Sequence, residues 1–247
     1  MPFRPPVSSP PGPSALIDVC LNRPRDGVPG IRAAGRCRPA RDGVSGDFID
    51  VFPASGGGWA AVIGDVCGNG AEAAAIAAAA HRAVRRTAGS DLAPRDVLGT
   101  FNAAMLSEMA ERERFLTAVY VDLRLRPGGV RAAVCSAGHP PVLVARADGS
   151  VHQLGAGGTV LGVTADPRLA ERYVLLQPGD TMLLYTDGVT EAHRDGEYYG
   201  EDRLRRLLRR IGGFPPAAVA ELVERAALRF GRPDECDDIA VLALRVG

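Results

Sequence analysis

"GDVCGNGAEAAAIAAAA", residues 64–80, decides how this chain folds. The apolar run ahead of it, Trp59 to Gly64, ends in Asp65. Gly68-Asn69-Gly70 then reads as a turn, and the alanine-rich stretch beyond it is helix by propensity. Strand, glycine turn and helix open a dinucleotide-binding fold, and Gly68-x-Gly70-x-x-Ala73 fits its loose fingerprint. That fold continues into a second parallel strand ending in an acid. Here the first helix runs into another helix, and Asp91 falls in the loop between them. A carboxylate at the strand end also repels phosphate, so the dinucleotide reading fails on context.

Working outward, β-type runs fall at 48–53, 59–66, 115–125, 130–136, 142–146, 172–176, 181–186 and 239–246. Helical patterns cover 71–87, a stretch opening at Pro94 with Val97, Leu98, Phe101, Met105 and Met109 on one side, 201–211 and 215–230. Two strands, two helices, a run of strands joined by tight turns, two more helices and a last strand make no βαβ alternation. The expectation is an α+β class with antiparallel sheets sandwiched by helix pairs. Prolines crowd residues 1–30, which read as an extended tail too short for a sensor domain. Residues 31–247 read as one folded domain.

Bulk properties narrow the function. The 247 residues are 46% hydrophobic and 23% charged, with 29 basic against 29 acidic side chains. This balance gives no global field for nucleic acid or an anionic membrane. No apolar run is long enough to span a bilayer, and the N-terminus lacks the order of a secretory signal. A cytoplasmic protein is expected. Every basic residue is arginine, and the arginines of 203–210 have the spacing of a solvated helix face. The five cysteines are scattered and the four histidines show no zinc-type pairing, so neither a disulfide frame nor a histidine-based zinc site is expected.

The acids are more informative. Asp47 precedes "FIDVFP", Asp65 ends the next strand, Asp187 ends "TMLLYT", and Asp237 and Asp238 open "IAVLALRV". One such Asp beside a glycine is ordinarily a turn residue. Their recurrence at the ends of apolar strands suits an oxygen-only site for Mg²⁺ or Mn²⁺.

At these residues the chain resembles the SpoIIE-type bacterial branch of the PPM (protein phosphatase 2C-like) metal-dependent serine/threonine phosphatases. The resemblance is carried by "SGDFIDVF", "AAVIGDVCGNGAEAA", "FLTAVYVDL", "SAGHPPVLV", "LGV", "LQPGDTMLLYTDGVTEAHRDGEYYGEDRL" and "DDIAVLALRV", in family order over about residues 31–247. It implies a four-layer α-β-β-α sandwich with a site for two Mn²⁺ or Mg²⁺ at one edge. By motif match, Asp65 resembles the metal-bridging acid and the Val66 carbonyl its backbone neighbour. Asp187 and Asp237 resemble ligands of the second metal, and Asp47 a residue acting largely through metal-bound water. Asp238, alternating to the other side, is expected to matter much less. Ser45-Gly46 and "GDVCGNG" depart from the family's double glycine and "GDVSGKG" without removing a carboxylate.

The implied chemistry is hydrolysis of a phosphoserine or phosphothreonine monoester by metal-activated water, with no side-chain nucleophile. Catalysis is thereby assigned to Asp47, Asp65, Asp187 and Asp237 through the metals. His139 in "AGHPP" could serve as a general acid, although a turn residue entering the next strand is the preferred reading. Glu72 favours the helix dipole. The resemblance implies a phosphorylated anti-anti-sigma (STAS-type) protein as substrate, with neither nucleic acid nor membrane as partner. Both a monomer and a homodimer are compatible with the sequence. Two alternatives stay open: a degenerate module that binds such a partner without turnover, and a small-molecule phosphohydrolase.

Overall fold

In a strand buried on both faces, successive side chains enter two different cores, so the sequence reads as a continuous apolar run rather than an alternation. That is the pattern here. The computed structural model describes residues 30–40, 43–155, 157–232 and 237–247. Residues 1–29 lie outside the described residues, as do Cys20 and the "SALIDVCLN" turn expected within the tail.

One sheet is ordered β2 (Asp47–Pro53), β3 (Trp59–Val66), β4 (Leu116–Arg126), β5 (Gly129–Ala137) and β8 (Ala170–Leu176). The other is ordered β1 (Ile31–Arg38), β12 (Ile239–Val246), β9 (Thr181–Tyr185), β6 (Val142–Ala145) and β7 (Val151–Leu154). All named pairings within them are antiparallel. Helices α1 (Gly70–Ala88) and α2 (Pro94–Glu111) cover the first sheet. Beyond β9 come the one-turn α3 (Asp187–Thr190), the hairpin β10 (His193–Arg194) and β11 (Glu197–Tyr198), then α4 (Gly200–Ile211) and α5 (Pro216–Phe230). The last two helices cover the second sheet. The α+β class and the four-layer α-β-β-α sandwich therefore hold.

Three apolar cores separate the four layers. On β3, Ala60 and Val62 face α1 and α2, while Ala61 and Ile63 face the opposite sheet. On β12, Ala240, Leu242 and Leu244 enter the inter-sheet core, and Ile239, Val241 and Ala243 meet α4 and α5. Each fully buried Leu or Val contributes about 1.5–3 kcal/mol relative to exposure. The arginines of α4 do line a helix whose buried side is Leu204, Leu208 and Ile211. No helix among the described residues is long and apolar enough to cross a membrane.

The differences from expectation are peripheral. Three strands, not two, precede the first α-helix, the additional one being the arginine-rich edge strand β1. β7, the β10–β11 hairpin and α3 are also additional to the expected elements. Of the cysteines, Cys37, Cys67 and Cys135 are free thiols, Cys135 buried and the others half-buried. Cys236 lies outside the described residues.

Candidate metal centre

The antiparallel register of β2 and β3 sets Asp47 directly across from Asp65. Asp65 in turn faces Thr117 on β4. The second sheet contributes from its own strand ends. Asp187 opens α3 just after β9, and Asp237 and Asp238 precede β12, which pairs with β9. Thr186 joins the two sheets: its Oγ1 donates to Asp47 Oδ2 at 2.9 Å and accepts from the Ala240 amide at 2.9 Å.

The electrostatics follow from crowding. Burial lifts the Asp65 carboxyl to about 7, helped by Asp187 and Asp237 and partly countered by a hydrogen bond with Asp47. Burial likewise lifts Asp187 to about 6, with Glu191 and then Asp237 adding repulsion. Asp47, only 6% exposed, is raised well above the usual carboxylate range by burial and by Asp65, against the Thr186 hydrogen bond. Buried carboxylates need a compensating charge. Here the strongest influences beyond burial are other carboxylates.

Among the described residues, no three or more His, Cys, Asp or Glu groups stand gathered as a metal ligand set. The acids are neighbours that repel rather than a closed cage. Their chemistry nevertheless fits hard divalent cations, which take oxygen donors and relieve clustered negative charge. The backbone fits as well. A Cβ on Gly46 would come within 2.9 Å of the Val66 carbonyl oxygen, so glycine there keeps that oxygen clear. Gly188 serves packing instead, since a Cβ there would lie 1.9 Å from the Asp238 carbonyl oxygen.

Asp47, Asp65, Asp187 and Asp237 are thus brought to one end of the sandwich, with the Val66 carbonyl beside them. Asp238 has a structural role of its own. Its Oδ1 accepts from the Ala40 amide at 2.7 Å, and its Oδ2 from Ser45 Oγ and the Gly46 amide, both at 2.8 Å. It ties down the loop that delivers Asp47. A strand-alternation argument could not see this, because the partners lie 192–198 positions away.

His139 does lie in the link that enters β6, but it is buried there. It is 3% exposed, with Nδ1 at 2.7 Å from Thr117 Oγ1. Burial drives its pKa down to about 3 against a backbone hydrogen bond at Tyr185. A neutral interior ring suits bracing Thr117 behind Asp65 better than delivering protons. Sequence reasoning also missed Thr186, whose only signal was its place before Asp187, and Arg114, which carried none. Glu72 is exposed and paired with Arg112 and Arg114.

The family model described as Stage II sporulation protein E (SpoIIE) matches residues 55–247, beginning after β2 and Asp47. Protein IcfG of Synechocystis sp. (strain ATCC 27184 / PCC 6803 / Kazusa) is 29% identical over 197 residues, covering 69% of this chain and 31% of IcfG. Phosphoserine phosphatase RsbP of Bacillus subtilis (strain 168) is 26% identical over 151 residues, covering 60% of this chain and 37% of RsbP. The matches thus span about a third of each of these relatives. The crystal structure of the RsbU and RsbW domains of Rv1364c from Mycobacterium tuberculosis aligns with a TM-score of 0.76 at 26% identity, over 89% of this chain and 60% of that one. With the motifs, the layered sandwich and a family match over most of its length in agreement, the chain belongs to the SpoIIE family, the SpoIIE-type branch of the PPM phosphatases.

Proposed function

We propose that this chain is a metal-dependent phosphatase hydrolysing phosphoserine or phosphothreonine in a protein partner. One observation carries the reading: acids from both sheets lie close at one end of the sandwich, and buried Asp47 and half-buried Asp65 and Asp187 are each perturbed mainly by burial and by other acids. Asp47, Asp65 and the Val66 carbonyl on one side, with Asp187 and Asp237 on the other, are the residues that would hold two Mn²⁺ or Mg²⁺. When bound, such cations lower the pKa of water and neutralise charge on the phosphoryl oxygens.

The protein's own part is placement. Thr186 fixes one oxygen of Asp47, Asp238 anchors the loop leading to it, and the Thr117–His139 pair backs the strand position facing Asp65. RsbP's description as a phosphoserine phosphatase supports a phosphoserine substrate. By the same family logic, a phosphorylated STAS-type anti-anti-sigma protein in the cytoplasm is the proposed partner.

Turnover of an aryl phosphate by the purified chain tests the reading first. Activity is expected only with added Mn²⁺ or Mg²⁺ and is abolished by chelation; undiminished turnover after thorough chelation would sink the two-metal site. A phosphorylated STAS protein is then expected to outpace phosphometabolites. Equal rates on both would instead favour a small-molecule phosphohydrolase, and binding without turnover a degenerate module.

A further inference from the structure

The turn after Asp65 is built on glycines. Gly68 takes a positive φ of 97° and Gly70 one of 78°, a backbone region costly for other residues. Yet this turn presents the Val66 carbonyl, and a backbone ligand is only as well placed as its peptide plane. Two neighbouring residues, Arg114 and Phe115, fix that plane from the segment leading into β4.

The Cys67 amide donates to the Phe115 carbonyl at 2.9 Å. In a trans peptide the carbonyl points opposite to the amide hydrogen, so the Val66 oxygen is turned away from Phe115 and towards Gly46. The next peptide is held from its oxygen side, where Arg114 Nη1 donates to the Cys67 carbonyl at 3.2 Å. Arg114 Nη2 donates to Glu72 Oε2 at 3.1 Å, which ties the guanidinium to the first turn of α1. Arg112 Nη1 reaches the other Glu72 oxygen at 3.3 Å.

The guanidinium crowds the turn: a Cβ on Gly68 would come within 2.0 Å of Nη1. Its Nε is buried and meets no acceptor among the described residues. An orphaned buried donor carries a cost, so the side chain's position is dictated by its Cys67 and Glu72 contacts rather than by its own satisfaction.

We propose that Arg114 is a positioning residue of the metal centre: by clamping the Cys67 carbonyl between α1 and β4, it fixes the turn that presents the Val66 carbonyl. This rests on the two-metal reading above. Arg114 spends its two terminal nitrogens on the Cys67 carbonyl and Glu72. It acts through the turn, so its removal weakens metal binding first.

Titration calorimetry of the full chain with Mn²⁺, alongside the Mn²⁺ dependence of turnover, tests this on wild type, Arg114→Ala and Arg114→Lys. Outer partners of metal ligands are typically worth about 10- to 100-fold in affinity. Arg114→Ala is expected to weaken Mn²⁺ binding at least about tenfold, with a smaller fall in kcat at saturating Mn²⁺. Arg114→Lys keeps one donor for Cys67 without the fork to Glu72 and should fall between. Hydrogen exchange at the Cys67 amide should quicken in both variants, and it carries the test through Arg114→Lys should the alanine variant fail to fold. Unchanged Mn²⁺ affinity in the folded variants, or a lower melting temperature with affinity intact, overturns the clamp while leaving the metal centre standing. Absence of Mn²⁺ binding by wild type removes the metal centre itself, and the clamp with it.

Discussion

At the scale of single residues, two adjacent aspartates divide the labour ahead of β12. Asp237 is exposed and adds negative potential to Asp65 and Asp187, whereas Asp238 spends both oxygens on the loop before Asp47. Asp237→Asn should therefore lose turnover by orders of magnitude while keeping the melting temperature of the chelated protein. Asp238→Asn presents an amide NH₂ group to donors and should cost about 1–3 kcal/mol. Thermal unfolding and turnover, measured on both variants, separate these roles; an unchanged melting temperature in Asp238→Asn would contradict the anchor. The acids themselves were legible because aspartate at an apolar strand end has no simple packing reason to be there. Asp238, Thr186 and Arg114 were not legible as supports, because their partners are set by register between distant segments rather than by local pattern.

Among the elements, long two-faced strands and proline-opened helices could be read almost to the residue: β3 and β12 coincide with their predicted bounds, and α2 begins at Pro94. The strands that were missed lie at the sheet margin or outside the two sheets. β1 reads "IRAAGRCR", where arginines are interspersed with small residues on an edge strand, and β7 is an edge strand with no buried residue. Neither carries the apolar signal that burial imposes on a central strand. The link between α2 and the "LGVT" loop was also hidden. Asn102, fully buried in α2, accepts from the Gly162 amide at 2.8 Å and donates to the Thr164 carbonyl at 2.9 Å. Asn102→Leu leaves both backbone groups without that partner, for a cost of about 2–3 kcal/mol. In a chain of this size that corresponds to a fall of roughly 4–12 °C in melting temperature; a fall under about one degree would show that the loop is held by other contacts.

For the molecule as a whole, the acid cluster makes stability depend on pH. Asp65 and Asp187 are raised to about 7 and about 6 from 3.8, so the folded state binds more protons than the unfolded state between those values. Their contribution is present at low pH and lost as pH rises through that window. His139, lowered to about 3 from 6.5, works the other way, costing stability as pH falls below its unfolded value. Chelated protein should therefore melt higher at about pH 6.5 than at about pH 8, with the gain levelling or reversing below that as His139 must charge on unfolding. Asp65→Asn should flatten the rise, and Mn²⁺ at about pH 8 should restore stability by binding the folded state. A wild-type melting temperature that climbs steadily with pH under chelation would refute the crowding of these acids.

The place of β12 has a further consequence. It is hydrogen-bonded between β1 and β9, yet it follows both of them along the chain. During synthesis on the ribosome, β1 and β9 emerge before the strand that must lie between them. Until it arrives, the second sheet stays split and Asp237 is missing from the acid cluster. Nascent chains that lack β12 should therefore have neither an intact second sheet nor a complete acid cluster, so the order of translation itself withholds the proposed activity from incomplete copies.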